Sequence, residues 1–110
     1  MDLLVARIAR RMSAERARAD RWRARLPACA RLLHARGATR VVLFGSLATG
    51  APPHDATDVD LAVWGLSDRE IIDVVLDLEE LLGASVDLVA VEAASPSLAA
   101  CIARDGVEVR

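Results

Sequence analysis

Apolar residues recur at alternating steps of four and three along the first third of the chain, which is the spacing of one helix face. The stripe consists of Leu4, Ile8, Met12, Ala19, Trp22, Leu26, Cys29 and Leu33, with Glu15 as its one polar member. Arginines fill many of the other positions, so the pattern predicts an amphipathic helix over residues 3–26. Pro27 is expected to break or kink it near Leu26, or to begin a second helix, Pro27–Ala35, that ends at Gly37.

The stripe of this first helix is thin, so the helix needs a surface to pack on. That surface is the protein's own core, another copy of the chain or a different protein, and the sequence leaves the three alternatives open. Trp22 is the residue best suited to a partner interface, because aromatic side chains concentrate at interface hot spots. We therefore divide the chain into a helical arm, residues 1–26, and a main domain, residues 27–110.

After residue 40 the pattern changes to short apolar runs separated by turn residues. These runs predict strands over residues 41–44, 59–64, 86–91 and 107–109. Two helices are predicted between them, one opened by the capping box Ser67/Glu70 and one by Ser95-Pro96. The first would run to Leu82 and bury Ile71, Val75, Leu78 and Leu82, and the second would end near Arg104. Alternating strands and helices predict an α/β (α+β) domain around one mixed sheet.

Composition indicates the size, the type of core and the cellular location of this domain. A chain of 110 residues predicts one domain, and 54% hydrophobic against 3% aromatic residues predicts an aliphatic core. No apolar run approaches the roughly 20 residues that cross a bilayer, and the charged N-terminus lacks a signal-peptide core. We therefore expect a cytoplasmic protein without membrane contact. Cys29 and Cys101 lie far apart and outside any CxxC motif, so two reduced thiols are expected.

Charge is distributed unevenly along the chain. Residues 1–40 contain eleven arginines and three acids, whereas residues 41–110 contain three arginines and thirteen acids. A basic arm on an acidic body favours contact with nucleic acid, nucleotide phosphates or an acidic protein surface, or else a solvated helix face. Direct nucleic-acid binding is the weakest of these, because aromatics that could stack on bases are nearly absent.

Two carboxylates lie at the start of the predicted second strand. Asp58 and Asp60 are two residues apart, so in a strand they point to the same face. Carboxylates held this close repel each other unless a cation lies between them. Oxygen ligands of this kind suit Mg²⁺, which takes one or two carboxylates together with phosphate oxygens. The sequence therefore predicts a site for a metal and its nucleotide.

The order of these residues resembles a known family. Four features of this chain, in their order, are similar to the signature of the DNA polymerase β-type nucleotidyltransferases. They are Gly45-Ser46, a spacer of eleven residues, Asp58-Val59-Asp60, and a third acid on a later strand, Asp87. The resemblance covers roughly Leu32 to the C-terminus and is closest to the minimal nucleotidyltransferase (MNT) domains, many of which are antitoxins paired with HEPN toxins. Many MNT members carry Gly-Ser-Arg-Ala-Arg-Gly, where this chain has Gly-Ser-Leu-Ala-Thr-Gly, and Thr57 replaces the Ser often found before the first Asp.

The resemblance implies the nucleotidyltransferase fold, a mixed sheet of about four strands flanked by helices, with the long N-terminal helix as an addition. It implies two Mg²⁺ ions held by Asp58, Asp60 and Asp87, with Asp87 alternatively a general base. The N–H of Gly45 and the hydroxyl of Ser46 would bind phosphate. His54 and Asp55 are expected to be polar loop residues, and Trp64 a core residue.

The activity implied is that of an antitoxin that transfers AMP from ATP to a tyrosine of a partner HEPN toxin and silences its RNase. One alternative is a non-catalytic binding module that neutralises its partner by contact. Another is a small-molecule nucleotidyltransferase that acts as a homo-oligomer.

Overall fold

A computed structural model describes residues 2–50 and 58–110 of the chain. The elements are α1 (Leu3–Ala35), β1 (Arg40–Phe44), α2 (Gly45–Thr49), β2 (Val59–Trp64), α3 (Asp68–Leu82), β3 (Val86–Ala90), a 3-10 turn (Val91–Ala93), α4 (Pro96–Asp105) and β4 (Val107–Glu108). The expectations for His54, Asp55 and Thr57 concern residues outside these ranges. Within them, even the long α1 lacks the apolar character of a helix that could cross a membrane.

The four strands form one mixed sheet in the order β3-β2-β1-β4. β1 pairs antiparallel with both β2 and β4, whereas β2 and β3 are parallel and connected through α3. The prediction of an α/β domain around a mixed sheet of four strands, with a long N-terminal helix, is therefore confirmed. The four predicted strands match the observed ones to within one residue at each end.

Helices cover the two faces of the sheet unequally. α1 and α3 cover one face, where they form the main core with alternate strand residues such as Val41, Leu61 and Val63. α4 covers part of the other face, and its Ile102 packs there against Val42, Phe44 and Ala62. Because side chains alternate along β2, the residues that share a face with Ala62 include Asp60. Among the described residues, the acidic end of β2 therefore lies on the face of the sheet that α4 covers in part.

α1 is continuous from Leu3 to Ala35, so the predicted break near Leu26 is wrong, and so is a second helix that begins at Pro27. An interior proline removes one helical hydrogen bond and costs about 3 kcal/mol. The buried side chains on either side of it outweigh this cost, because each large one contributes about 1.5–3 kcal/mol. They are Trp22, Leu26, Cys29, Ala30 and Leu33. Pro27 itself is exposed, so its ring displaces no core side chain.

The capping box that begins α3 is confirmed. The Glu70 N–H donates to the Ser67 hydroxyl at 3.2 Å, and the Ser67 N–H donates to the Glu70 carboxylate at 3.1 Å. Gly83 ends the helix in the left-handed conformation. Burial differs in one detail: Leu78 and Leu82 are buried as predicted, but Val74 is the third buried residue. The helix is thus rotated slightly from the predicted face, which leaves Ile71 and Val75 half-buried.

Cys29 and Cys101 are free thiols, as predicted. Trp64, expected in the core, is half-buried, and the Arg40 guanidinium lies over its ring at 4.7 Å from the ring centroid. Arg40 also donates from Nε to Glu108 of β4 at 3.1 Å. The end of β2 is therefore covered by a cation rather than by a further apolar layer.

Replacing Pro27 with alanine should raise the free energy of unfolding by about 1–2 kcal/mol, because alanine restores a helical hydrogen bond inside α1. Urea unfolding followed by circular dichroism measures the change. Pro96→Ala is the matched control: Pro96 is the first residue of α4, where proline is favoured, so that change should be neutral or destabilising. Equal responses at the two positions would contradict a continuous α1.

Candidate active site

The parallel pairing of β2 with β3 brings two of the predicted acids together. Asp60 is the register partner of Asp87, so their side chains lie next to each other on the same face of the sheet. Asp58 precedes β2 by one residue and is exposed, Asp60 is half-buried, and Asp87 is exposed on the edge strand β3. The three acids are thus gathered at one end of the sheet, as the sequence suggested, although they are separated by up to 29 positions in the chain.

Gly45 joins this group through the antiparallel pairing of β1 with β2. Phe44 is the register partner of Asp60, and Gly45 follows it with φ of 74°. A Cβ placed on Gly45 would overlap the Oδ2 of Asp60, so no side chain fits between the backbone and that carboxylate. Glycine is required here both for its positive φ and for the close approach.

Ser46 lies in the first turn of α2, a five-residue helix that follows β1 without a connecting loop. Its N-cap, Phe44, has no side-chain oxygen to accept from the first amides of the helix, which are the groups that helices leave without internal partners. The Ser46 side chain is half-buried. The backbone amides and the hydroxyl at this helix end are therefore suited to an anion.

Sequence reasoning predicted only a loop at this position and missed α2. The one signal was the glycine pair that encloses the helix, Gly45 at its start and Gly50 at its left-handed C-cap. Sequence reasoning also missed Arg23 of α1, whose Nη2 donates to the carbonyl oxygen of Leu47 at 3.1 Å. This hydrogen bond joins α1 to α2 across 24 positions of the chain, so α1 helps to position α2.

Leu47 lies at the position where the Gly-Ser-Arg-Ala-Arg-Gly pattern has its first basic residue. Its side chain is buried in the main core. Thr49, at the second basic position, is exposed and its hydroxyl donates to the carbonyl oxygen of Ser46 at 3.2 Å. The outer surface of α2 therefore carries no cation of its own, and one of the two changed positions serves the core.

Asp60 is the acid whose ionisation the surroundings affect most. Burial, and after it the neighbouring carboxylates of Asp87 and Asp58, together raise its pKa to about 6. Neutral pH is thus close to the pKa of the Asp60 carboxyl group. A proton or a cation stabilises this arrangement, since either one removes the repulsion among the three acids.

Whether the described residues fit a metal ion depends on the spacing and the chemistry of their acids. Within 2–50 and 58–110, no group of three or more His, Cys, Asp or Glu side chains is arranged closely enough to hold an ion. The donor chemistry nevertheless fits a hard cation, because Asp58, Asp60 and Asp87 offer only oxygen ligands and repel one another. The three acids are therefore candidates for a magnesium site.

Comparisons with known proteins agree with this geometry. The profile of the family described as polymerase beta, nucleotidyltransferase, matches residues 31–109. A solved structure classed provisionally as a minimal nucleotidyltransferase is 33% identical and has a TM-score of 0.71, with 81% of this chain and 93% of that one covered. A search among proteins of curated function found no match.

Two further solved structures are toxin–antitoxin complexes. A chain from a complex with AMP-PNP is 27% identical, with a TM-score of 0.65 over 73% of this chain and 68% of that one. A chain from the complex of tri-AMPylated Shewanella oneidensis HEPN toxin with MNT antitoxin is 23% identical, with a TM-score of 0.63 over 79% of this chain and 70% of that one. The second likeness is one of fold alone.

Replacing Gly45 with alanine should lower the free energy of unfolding by at least about 2 kcal/mol, because the methyl group would collide with Asp60 and the backbone has positive φ. Gly50→Ala is the matched control. Gly50 has nearly the same φ, 79°, but no atom of the described residues lies within 4 Å of a Cβ placed there, so its cost should be about 1 kcal/mol. Equal costs in urea unfolding would show that the close approach is unimportant.

Replacing Asp60 with asparagine should stabilise the metal-free protein at pH 7. The folded carboxyl binds its proton more tightly than the unfolded one, so wild-type stability falls as pH rises from about 4 to about 6. Partial exposure screens the charge, so we expect a gain of about 1–2 kcal/mol at pH 7 that disappears below about pH 4. Urea unfolding in EDTA across this range measures it. Asp73→Asn, at an exposed acid of α3, is the matched control, and a pH-independent effect of Asp60→Asn would contradict the raised pKa.

Proposed function

The chain belongs to the polymerase beta nucleotidyltransferase family, and from this we propose that it is an antitoxin that transfers AMP from ATP to a tyrosine hydroxyl of a partner HEPN toxin. The observation that carries the proposal is the meeting of Gly45 and Ser46 with Asp60 and Asp87 at one end of the sheet. A complex with AMP-PNP and a complex with a tri-AMPylated toxin among the similar structures support the donor and the acceptor.

The reaction forms a bond from the acceptor oxygen to the α-phosphorus and breaks the bond to the bridging oxygen of the β-phosphate, so that pyrophosphate leaves. In the proposed site, the N–H of Gly45 donates to a phosphate oxygen and the Ser46 hydroxyl donates to the β- or γ-phosphate. Because no Cβ separates Gly45 from Asp60, phosphate bound to the backbone lies next to the acids. The groups proposed to bind phosphate and the acids thus lie within one corner of the sheet.

The acids have distinct positions in this scheme. Asp58, Asp60 and Asp87 would hold Mg²⁺, which when bound neutralises the leaving group and lowers the pKa of the acceptor hydroxyl. Asp87 is exposed on the edge strand β3, where an acceptor from another chain can approach it, so in place of ligating the cation it could instead take the hydroxyl proton as a general base. The exposed edge suits an acceptor that is itself a protein.

A contact-only antitoxin is the second candidate, and one observation favours it. The first basic position of the Gly-Ser-Arg-Ala-Arg-Gly pattern holds Leu47, which is buried in the core. Because a side chain in the core cannot contact a triphosphate, the grip on the nucleotide is weaker than two arginines would provide. On this alternative the domain neutralises the toxin by binding, without transfer.

Incubation of the partner HEPN protein with this chain, Mg²⁺ and ATP should add one or more adenylyl units, measured by intact-mass spectrometry. Asp58→Ala or Asp60→Ala should abolish the gain, because each removes an oxygen ligand for the cation. Asp73→Ala, on the opposite side of the sheet, is the matched control and should leave it unchanged.

The same variants separate the two candidates. Neutralisation of the toxin that survives the double change Asp58→Ala and Asp60→Ala, with no mass gain for wild type, would replace the enzymatic proposal with the contact-only one. The other nucleoside triphosphates, tested in parallel, identify the donor, and a gain with GTP but none with ATP would overturn the choice of AMP.

A further inference from the structure

The first part of α1 extends beyond the rest of the fold. Ala19 is its first buried residue, so residues 3–14, here termed the projecting arm, lie outside the core. At 1.5 Å per residue the projecting arm is about 18 Å long. A helix of this length is marginal by itself in water and needs a surface to pack on.

The projecting arm has an apolar stripe flanked by cations. Leu4 and Ile8 are 59% and 50% exposed, and Met12 continues their stripe one turn later. Arg7 and Arg10 lie on the exposed surface beside this stripe. Apolar side chains in a contiguous exposed row are characteristic of an interaction surface rather than of a solvated helix.

The outer face of α3 has the opposite charge. Ile72 and Leu76 lie one turn apart and are 72% and 73% exposed, which makes them as open to solvent as any large apolar residue outside the projecting arm. Asp73 and Glu80 are exposed next to them, and α3 contains six acids and one arginine. An open groove, lined by Leu32, Asp77, Glu80 and Leu81, adjoins this face.

We propose that the projecting arm of one copy packs on the outer face of α3 of a second copy. In this contact Leu4, Ile8 and Met12 cover Ile72 and Leu76, while the arginines meet the acids of α3. Like surfaces do not pair as well, since two arms would oppose Arg7 and Arg10 with the same residues, and two α3 faces would oppose acids. The opposite charges of the chain's own two surfaces thus identify a second copy of the chain as the binding partner.

A two-fold axis would relate the two copies and their two contacts. Each copy has one projecting arm and one α3 face, so a symmetric dimer makes both contacts and leaves neither surface over, which prevents open-ended assembly. Asp60 and Asp87 lie on the other face of the sheet, which α3 does not cover. The dimer therefore leaves the candidate active site accessible, and it depends on neither nucleotide nor toxin.

Sedimentation of the purified full chain, without nucleotide or partner, tests the dimer directly. Wild type should dimerise with an affinity that falls as salt rises. Ile8→Glu and Ile72→Glu should each weaken the dimer at least roughly tenfold, because each puts a charge into an apolar contact. Val107→Glu, a change at another exposed apolar residue, on β4, is the matched control and should leave the dimer unchanged. A wild type that stays monomeric at every concentration would overturn the proposal.

Charge reversal identifies which surfaces meet. One variant carries Arg7→Glu and Arg10→Glu, and the other carries Asp73→Arg and Glu80→Arg; circular dichroism confirms that both are folded. Each alone should be monomeric, because arm and α3 then have the same charge, whereas an equimolar mixture should form a heterodimer with both contacts complementary. Dimerisation of the α3 variant alone would show arm-to-arm pairing, and dimerisation of the arm variant alone would show α3-to-α3 pairing. Either result, or a mixture that stays monomeric, contradicts the proposal.

Discussion

The repulsion between carboxylates on adjacent strands is the constraint on which this structure depends. Asp60 and Asp87 are held side by side by the parallel register of β2 and β3, although their charges oppose that pairing. The opposite face of the same strands supplies the compensating stability, because Val59, Leu61 and Val63 are fully buried beneath α1 and α3. The buried face of the sheet thus stabilises the domain, while the other face holds acids that destabilise it. This distribution is typical of functional sites.

This separation of faces also explains the shape of the first strand connection. The residue that follows β1, Gly45, lies close to Asp60, and only glycine permits that approach. α2 then begins at once, and Arg23 of α1 donates to the carbonyl oxygen of its Leu47. α1 therefore serves both stability and the candidate site: it buries core side chains along one half, and its Arg23 is hydrogen-bonded to the short helix that carries Gly45 and Ser46.

Local signals in the sequence were sufficient for much of this fold. The capping box at Ser67 and the apolar runs of the strands act over a few residues, and they were correctly interpreted. The continuous α1 could not be predicted, because Pro27 is a strong local signal that long-range packing overrides. α2 was missed for a related reason: a five-residue helix has too short a pattern to detect. The acids were predicted as candidates from spacing and resemblance, but the contact of Gly45 with Asp60 needs the strand register, which no single stretch of sequence contains.

The raised pKa of Asp60 has a thermodynamic consequence for whatever binds beside it. Since that carboxyl is close to half-protonated at about pH 6, a cation that binds there must release protons into the buffer. The apparent binding enthalpy then includes the ionisation enthalpy of the buffer, and apparent affinity decreases as the solution becomes more acidic. The site couples cation binding to proton release because two strands place one carboxylate beside another.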